Sequence, residues 1–415
     1  MKIVIVVVAH DGLQSILTGV GVVVNSFIEG FPEIKKKCGK LSKNKISLVC
    51  IAPYIQKTSK DYHKNIRKIT ERMCKSNYGF FEEIKTNSGG ESQRSIWGDS
   101  NQWEIASKNA AEKINEIQKE YDQIIVLAHD TIFSLISKYL CENNKIKFIW
   151  IPHSLGKVFC DEHTDDKRIK IENEVINTIN VDDNKYLGCI GDYFKKILID
   201  KYFLKKEKVL PLTNGIYKKC DRFNIKKCDL HEIKKYQIPE NKKIIFSSGR
   251  CVYQKGFDTI ILACEKFLKE NTDYHLVLLM PAETSNIKYI NKIKHMTESL
   301  PKNQFTAIYE FDPKLPKFIF ENKLLKIVIF ASRFEGNPIS IFEANTFCNK
   351  DVSFIYSDIP PLKNLLKNNA SAISFSEKKN NLYDKMSEKN HREYTKINDV
   401  PNILDNYIHA LDILL

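Results

Sequence analysis

Glu335 and Glu343, separated by seven residues, bracket the run Gly336-Asn337-Pro338-Ile339-Ser340, the stretch of this chain whose residue types promise the most chemistry. The apolar run from Leu324 to Phe330 reads as a buried strand, and Ile339, Ile341, Phe342 and Ala344 read as the start of a packed helix. Glu335 then sits on the loop at the strand's C-terminal end, where open parallel sheets bind ligands, with Glu343 in the following helix. One glutamate could face a sugar while the backbone N–H groups of Asn337, Ile339 and Ser340 face phosphates. Taken alone, the stretch reads equally well as a surface loop followed by an ordinary helical glutamate.

About eighty residues upstream, Ile244 to Asp258 reads as a strand, a Gly249-Arg250 turn and a Lys255-Gly256 step that opens a helix from Phe257 to Lys269. Two cations and a helix N-terminus on one strand-to-helix loop can converge on one anion, and a diphosphate is the natural candidate. The two elements in this order, Gly-Arg-x4-Lys-Gly and Glu-x7-Glu, resemble the nucleotide-sugar site of the retaining glycosyltransferases of family 4. The resemblance implies the GT-B fold, two Rossmann-like, doubly wound parallel-sheet α/β domains facing across a deep cleft. It implies donor contacts from Gly249, Arg250, Lys255, Glu335, Gly336, Asn337, Pro338, Ile339, Ser340 and Glu343, with Glu335 on the sugar hydroxyls and Glu343 on the ribose. It also implies front-face attack, in which the leaving phosphate takes the acceptor proton and no dedicated nucleophile is needed. Uridine is the expected base. No Asp-x-Asp motif ends a strand, and Asp182-Asp183 belongs to an expected turn, so neither an obligatory metal nor another cofactor is expected.

The N-terminal half carries the acceptor side of this reading. In Trp150-Ile151-Pro152-His153-Ser154-Leu155-Gly156, a histidine directly follows a buried strand, and the string is similar to the His-Ser-Leu-Gly stretch of sucrose-phosphate-synthase-like members, as Arg168 to Glu172 is further on. That similarity places His153 beside the reacting sugar, which completes the expected catalytic set of Arg250, Lys255, Glu335 and His153. Asp11, Gly19, Gly21, His129 and Asp130 also follow expected strands and join His153 as acceptor-binding candidates. The glycines of Thr18-Gly19-Val20-Gly21 could allow close approach of backbone to a ligand, or could simply start a helix. The acceptor itself stays open between a small molecule, such as an aminocyclitol or a sugar phosphate, and a cell-surface saccharide.

The rest of the chain supplies the elements that would hold these residues. At 415 residues it suits two α/β domains, and apolar strand-like runs alternate with helical ones throughout, as βαβ units require. The expected strands are Ile3 to Ala9, Ile46 to Ala52, Gln123 to Ala128, Phe148 to Ile151 and Tyr186 to Ile190, then Ile244 to Ser247, His275 to Met280, Phe305 to Tyr309, Ile327 to Phe330 and Val352 to Tyr356. Helices are expected at Val20 to Phe31, Glu104 to Glu120, Ile132 to Leu140 and Ile403 to Leu415, with irregular excursions at Gly89 to Gln93 and Asp99 to Asn101. The domains are expected at 1–206, 207–395 and 396–415, the last a helix returning to the first domain. Phe347-Cys348-Asn349-Lys350 departs from the family's small-residue turn at that point.

A net charge of +13 is spread as short lysine runs and not gathered into a stripe with exposed aromatics, which argues against nucleic-acid binding. It leaves room for peripheral contact with anionic lipid or with a phosphorylated substrate. Eleven cysteines without a Cys-x-x-Cys pair suit a reduced, cytoplasmic setting. The rival readings are a glycoside-cleaving hydrolase or phosphorylase, which needs paired carboxylates but not Arg250 and Lys255, and a non-catalytic nucleotide-sugar-binding protein.

Overall fold

A parallel strand buried on both faces reads as an uninterrupted apolar run, and Lys2–Val8 (β1) shows it: after Lys2, every residue is shielded from water. The computed structural model describes residues 1–92, 96–97, 99–141, 144–158, 166–282, 286–349, 351–366, 372–388 and 400–415. They fall into two units, Met1–Tyr217 with Pro401–Leu415, and Lys218–Val400. Gln93 and Lys350 lie outside the described residues, as do residues 389–399.

The first unit is a seven-stranded parallel sheet of β1, Lys45–Pro53 (β2), Phe81–Ile84 (β3), Gln123–His129 (β4), Ile146–Ile151 (β5), Lys185–Cys189 (β6) and Val209–Pro211 (β7), in the order β3-β2-β1-β4-β5-β6-β7. In the second unit Lys243–Ser248 (β8), Tyr274–Leu279 (β9), Phe305–Ile308 (β10), Leu325–Phe330 (β11), Ser353–Ser357 (β12) and Ala372–Phe375 (β13) form a six-stranded parallel sheet, β10-β9-β8-β11-β12-β13. Each sheet is doubly wound and reverses direction once, between β1 and β4 and between β8 and β11. Those reversals open crevices at the C-terminal strand ends, which is where the chain places the residues singled out above.

Three strands lack the apolar run that makes the others legible. The edge strands β3 (Phe-Glu-Glu-Ile) and β13 (Ala-Ile-Ser-Phe) each bury only their last residue fully. The third, β7, is three residues long and ends in Pro211, which an edge position tolerates because no further neighbour needs its N–H. Through β7 and the bonds from Leu212 N to Cys189 O (2.9 Å) and from Asn214 N to Ile190 O (2.9 Å), the first unit runs past residue 206 to Tyr217. It resumes at Pro401; residue 396, where the last segment is expected to begin, lies outside the described residues. The helix expected over 132–140 is instead a 3-10 turn at Thr131–Phe133 and one α-turn at Ile136–Tyr139. Ser134 and Ser137 donate their hydroxyls to the carbonyls of Thr131 and Ser134, which diverts the backbone from a continuous ladder. Asp99 is no irregular excursion but the N-cap of the Ser100–Ile117 helix, accepting from Asn101 N at 2.9 Å.

The outgoing and returning chain segments are laced together within the first unit. Ile216 N donates to Pro401 O (2.9 Å) and Asn406 Nδ2 to Thr213 O (2.7 Å). A Cβ on Gly215 would stand 2.0 Å from the Pro401 carbonyl, so only glycine allows the crossing. The final helix, Ile403–Leu414, then lies on the Gly19–Lys37 helix, with the Phe27 and Tyr407 rings 4.7 Å apart.

Candidate functional site

In the second unit, two strand-to-helix loops meet at the crevice between β8 and β11. Gly256, at φ +64°, ends the first loop and opens the Phe257–Glu270 helix, and a Cβ there would be 2.2 Å from Ala331 O on the second loop. The two loops can touch only because that residue is glycine. They are then bonded together: Arg333 N donates to Gln254 O (2.8 Å), Arg333 Nη1 to Tyr253 O (2.6 Å) and Gln254 Nε2 to Phe334 O (2.9 Å). Arg333 is itself anchored by ion pairs to Asp258 (3.1 Å) and Glu377 (2.5 Å).

This zipper fixes Glu335 against Lys255. Glu335 is buried, its Oε1 paired with Lys255 Nζ and accepting from Ser332 Oγ at 2.7 Å. Arg250 Nη2 reaches Gln254 Oε1 at 3.5 Å, so Arg250, Lys255 and Glu335 belong to one connected group. A small cavity between Lys255, Glu335, Pro338 and Ser340 is floored by Ser247 and Ala331. The N-cap residues of the two helices that begin here, Gly256 before Phe257–Glu270 and Pro338 before Ile339–Phe347, make no side-chain cap bond. Their positive ends and the Lys255 ammonium suit an anion. Asn337 and Ile339 are buried at the same loop end.

Glu343 is placed differently. It is deep in the Ile339–Phe347 helix and paired with Arg222, a buried residue that the sequence reading missed. Burial raises its carboxyl above the usual range, with Arg222 acting in the opposite direction. The signal was available in principle: a glutamate within Ile-Phe-Glu-Ala must be buried, and buried carboxylates find a partner.

In the first unit the crevice between β1 and β4 gathers three histidines. His129 ends β4 fully buried, His153 follows β5 half-buried, and His129 Nδ1 lies 3.0 Å from His153 Nε2. His10, after β1, accepts from Trp97 Nε1 at 3.0 Å. The His153 loop is braced from below by the Asp166–Val181 helix. Its buried Glu172 accepts from Gly156 N (2.9 Å) and pairs with Arg168 (2.7 Å), whose Nη2 donates to Ser154 Oγ (2.7 Å).

Other acceptor candidates serve the chain itself. Asp11 is buried, and its carboxylate accepts from Ser15 Oγ (3.0 Å), Leu17 N (3.1 Å), Thr18 N (2.9 Å) and Thr18 Oγ1 (2.8 Å), which shapes the loop. Gly19 and Gly21 lie in the first turn of the Gly19–Lys37 helix capped by Thr18, and a Cβ on Gly21 would strike the Asp11 carboxylate at 2.6 Å. The close approach that Gly21 permits is therefore to Asp11. Asp130 is buried at φ +71°, accepts from Thr131 N, and has its carboxyl raised by burial. Of this set, only His153 and Gly19 are partly open to solvent.

Burial, with repulsion from neighbouring histidines second, holds His129 well below its ordinary pKa and pushes His153 down to about 3. Both stay neutral in the fold, while the unfolded chain takes up their protons below about pH 6.5. The unfolded state then binds more protons, so stability falls as pH drops from about 6.5 toward 3. A thermal series from pH 7.5 to 4.5 should show the melting temperature declining on the acid side, and His129→Gln with His153→Gln should flatten that slope. An unchanged slope in the double variant refutes the neutral pair.

Among the described residues no cluster of three or more His, Cys, Asp and Glu side chains could hold a metal ion, and no helix is long and apolar enough to cross a membrane.

Residues 230–390, within the second unit, match the family described as glycosyl transferases group 1. No curated protein sequence matches the chain. Among solved structures, sucrose-phosphate synthase from Thermosynechococcus elongatus aligns over 100% of this chain and 95% of its own at 12% identity, with a TM-score of 0.67. A glycosyltransferase from Rickettsia africae aligns over 100% and 92% at 18% identity and 0.60. The E. coli trehalose-6-phosphate protein bound with UDP-2-fluoro glucose aligns over 99% and 95% at 12% and 0.63. The chain thus has the two parallel-sheet α/β units of the GT-B fold.

Proposed function

We propose that this protein is a retaining glycosyltransferase that moves a sugar from a nucleoside diphosphate donor, UDP-linked in the first instance, to a hydroxyl on a saccharide or sugar-phosphate acceptor. The observation that carries this reading is the pairing of Lys255 with Glu335 across two zipped loops, beside Arg250 and at two helix N-termini whose N-cap residues are Gly256 and Pro338. A paired-carboxylate hydrolase would need two acids poised around a glycosidic oxygen. Here Glu335 is tied to a lysine and Glu343 to Arg222.

In the proposed step the bond from the anomeric carbon to the diphosphate oxygen breaks and the bond to the acceptor oxygen forms on the same face. The acceptor proton passes to the departing phosphate. Arg250, Lys255 and the amides at Asn337, Ile339 and Ser340 would stabilise the charge that develops on the diphosphate. Glu335, held at a fixed distance from Lys255, would orient donor-sugar hydroxyls, with Gly249, Gly336 and Pro338 shaping the loop ends, and Glu343 would set the ribose side of the site. His153, neutral and half-open, would contact the reacting sugar from the first unit, backed by His129 and Asp130. Because the charge is met by cations and amides, the proposal assigns no metal or other cofactor. The UDP sugar held by the E. coli relative supports the choice of base.

A panel of UDP-, GDP- and ADP-sugars tests the reading. The cognate donor at about 100 times its dissociation constant stabilises the fold by about 2.7 kcal/mol, and release of its nucleotide should depend on an added acceptor. Stabilisation by none of the three classes, or sugar release from a simple glycoside without nucleotide, refutes it.

A further inference from the structure

A second groove, of about 550 Å³, opens on the first unit at the C-terminal ends of β2 and β3. Its walls are the segment after β2 (Tyr54 to Tyr62) and the Lys64–Ser76 helix. Two tyrosines line it, Tyr54 with 47% of its surface exposed and Tyr62 half-buried, as do Lys57, Lys64 and Lys68, all exposed.

The charges in the groove are not balanced. Its two acids, Glu71 and Glu83, are both taken by Arg67, at 2.7 and 3.1 Å, and Arg67 lies flat on the Phe81 ring at 3.6 Å. Among the described residues no ion pair engages Lys57, Lys64 or Lys68, so three cations remain available around two aromatic faces. The Lys64–Ser76 helix also begins without a side-chain cap, and its N-terminus adds to the positive field.

The groove is built in advance of any ligand. Gln56 N and Nε2 bond to Gly90 O (2.8 Å) and Gly89 O (2.9 Å), Ser59 Oγ bonds to Glu91 O (2.7 Å), and Ser92 Oγ bonds to Asp61 Oδ2 (2.8 Å). A Cβ on Gly90 would meet the Tyr54 ring at 2.8 Å, so the close approach of this loop to the tyrosine requires glycine. Preformed walls spare the ordering cost of binding.

The groove is also tied to the acceptor loop after β1. Gln14, in that loop, donates to Pro53 O (2.7 Å), accepts from Arg67 Nη1 (2.9 Å), and receives His63 N at its carbonyl (2.9 Å). Thr70 Oγ1 donates to Leu13 O (2.7 Å). The loop that follows β1 is thus bonded to both walls of the groove.

We infer that this groove is a subsite for an acidic saccharide segment of the acceptor, one whose pyranose faces lie on Tyr54 and Tyr62 and whose carboxylate or phosphate is held by Lys57, Lys64 and Lys68. The inference rests on the reading of the first unit as the acceptor-binding half. A lipid surface is the poorer fit, because no apolar residue of the Lys64–Ser76 helix is among the exposed large hydrophobics, so the face has cations but no wedge.

Calorimetric titration of the full chain with trigalacturonate, maltotriose 1-phosphate and neutral maltotriose tests this. At least one acidic trisaccharide should bind roughly tenfold tighter than maltotriose at low salt, as a few exposed charge contacts allow, and the margin should shrink in 0.3 M NaCl. Lys57→Ala/Lys64→Ala/Lys68→Ala should abolish the preference, and Tyr54→Ala should weaken all three sugars, while UDP binding stays as in the wild type. Equal binding of all three by the wild type overturns the inference, as does an intact preference in the triple variant. Co-sedimentation with phosphatidylglycerol vesicles that the triple variant loses, without any saccharide preference, assigns the patch to a membrane and also overturns it. Failure of the wild type to bind UDP or any nucleotide counts against the proposed transferase and not against the groove, whose saccharide preference is read separately.

Discussion

Arg250→Ala and Lys255→Ala each lower turnover with a nucleotide-sugar donor by roughly a hundredfold or more, the scale of loss when a charge developing in the transition state loses its partner. The two variants should differ in their second effect. Lys255 neutralises a buried glutamate, so Lys255→Ala leaves Glu335 with only Ser332 and Gln254 to meet its charge and should cost stability as well as rate. In Arg250→Ala the buried Glu335 keeps its Lys255 partner, so that variant should lose rate far more than melting temperature. Steady-state kinetics beside a denaturant titration separates the two effects. Near-normal turnover in both variants removes the diphosphate from the site, and a hydrolase or a binding protein becomes the better reading.

The contrast shows what sequence could and could not reveal. The loops after β8 and β11 were legible because an apolar strand, a glycine turn and a cation or carboxylate at fixed spacing are local signals. That Gly256 must be glycine because Ala331 O lies where its Cβ would be is a contact across seventy-odd residues, and no spacing announces it. Arg222 was missed for the same reason: its partner Glu343 lies far along the chain, and Asp-Arg-Phe carries no pattern of its own. In the first unit the pattern led to the right strand ends but not to the orientation of side chains. Asp11 follows β1 as expected, yet its carboxylate turns back onto Leu17 and Thr18. Strands β3, β7 and β13 escaped because edge strands need no continuous apolar run.

The Arg222–Glu343 pair yields the largest expected change in stability, and an asymmetric one. Both side chains are buried, and among the described residues Arg222 Nε and Nη1 have no hydrogen-bond partner, so Glu343 is the group that answers the guanidinium's charge. Glu343→Gln removes that answer, and an arginine cannot escape by losing its proton. The cost should be about 3–5 kcal/mol in the second unit. Arg222→Leu is the milder change, because the stranded carboxyl can take a proton instead, a tendency burial already favours. With Arg222 gone, the folded pKa of Glu343 lies further above its unfolded value, so the stability of that variant is fully kept below about pH 4.5 and lost as pH rises through the folded pKa. Denaturant titrations between pH 4.5 and 8 should therefore show the Arg222→Leu deficit growing with pH, while Glu343→Gln stays low throughout. Arg222→Leu/Glu343→Leu should recover much of the loss, since well-packed apolar residues replace a buried pair at little cost. Glu335→Gln, by contrast, should act mainly on turnover, because the amide oxygen can still accept from Ser332 Oγ. If Glu343→Gln folds as stably as the wild type, then Glu343 is held by something other than Arg222, and its place in the site must be drawn again.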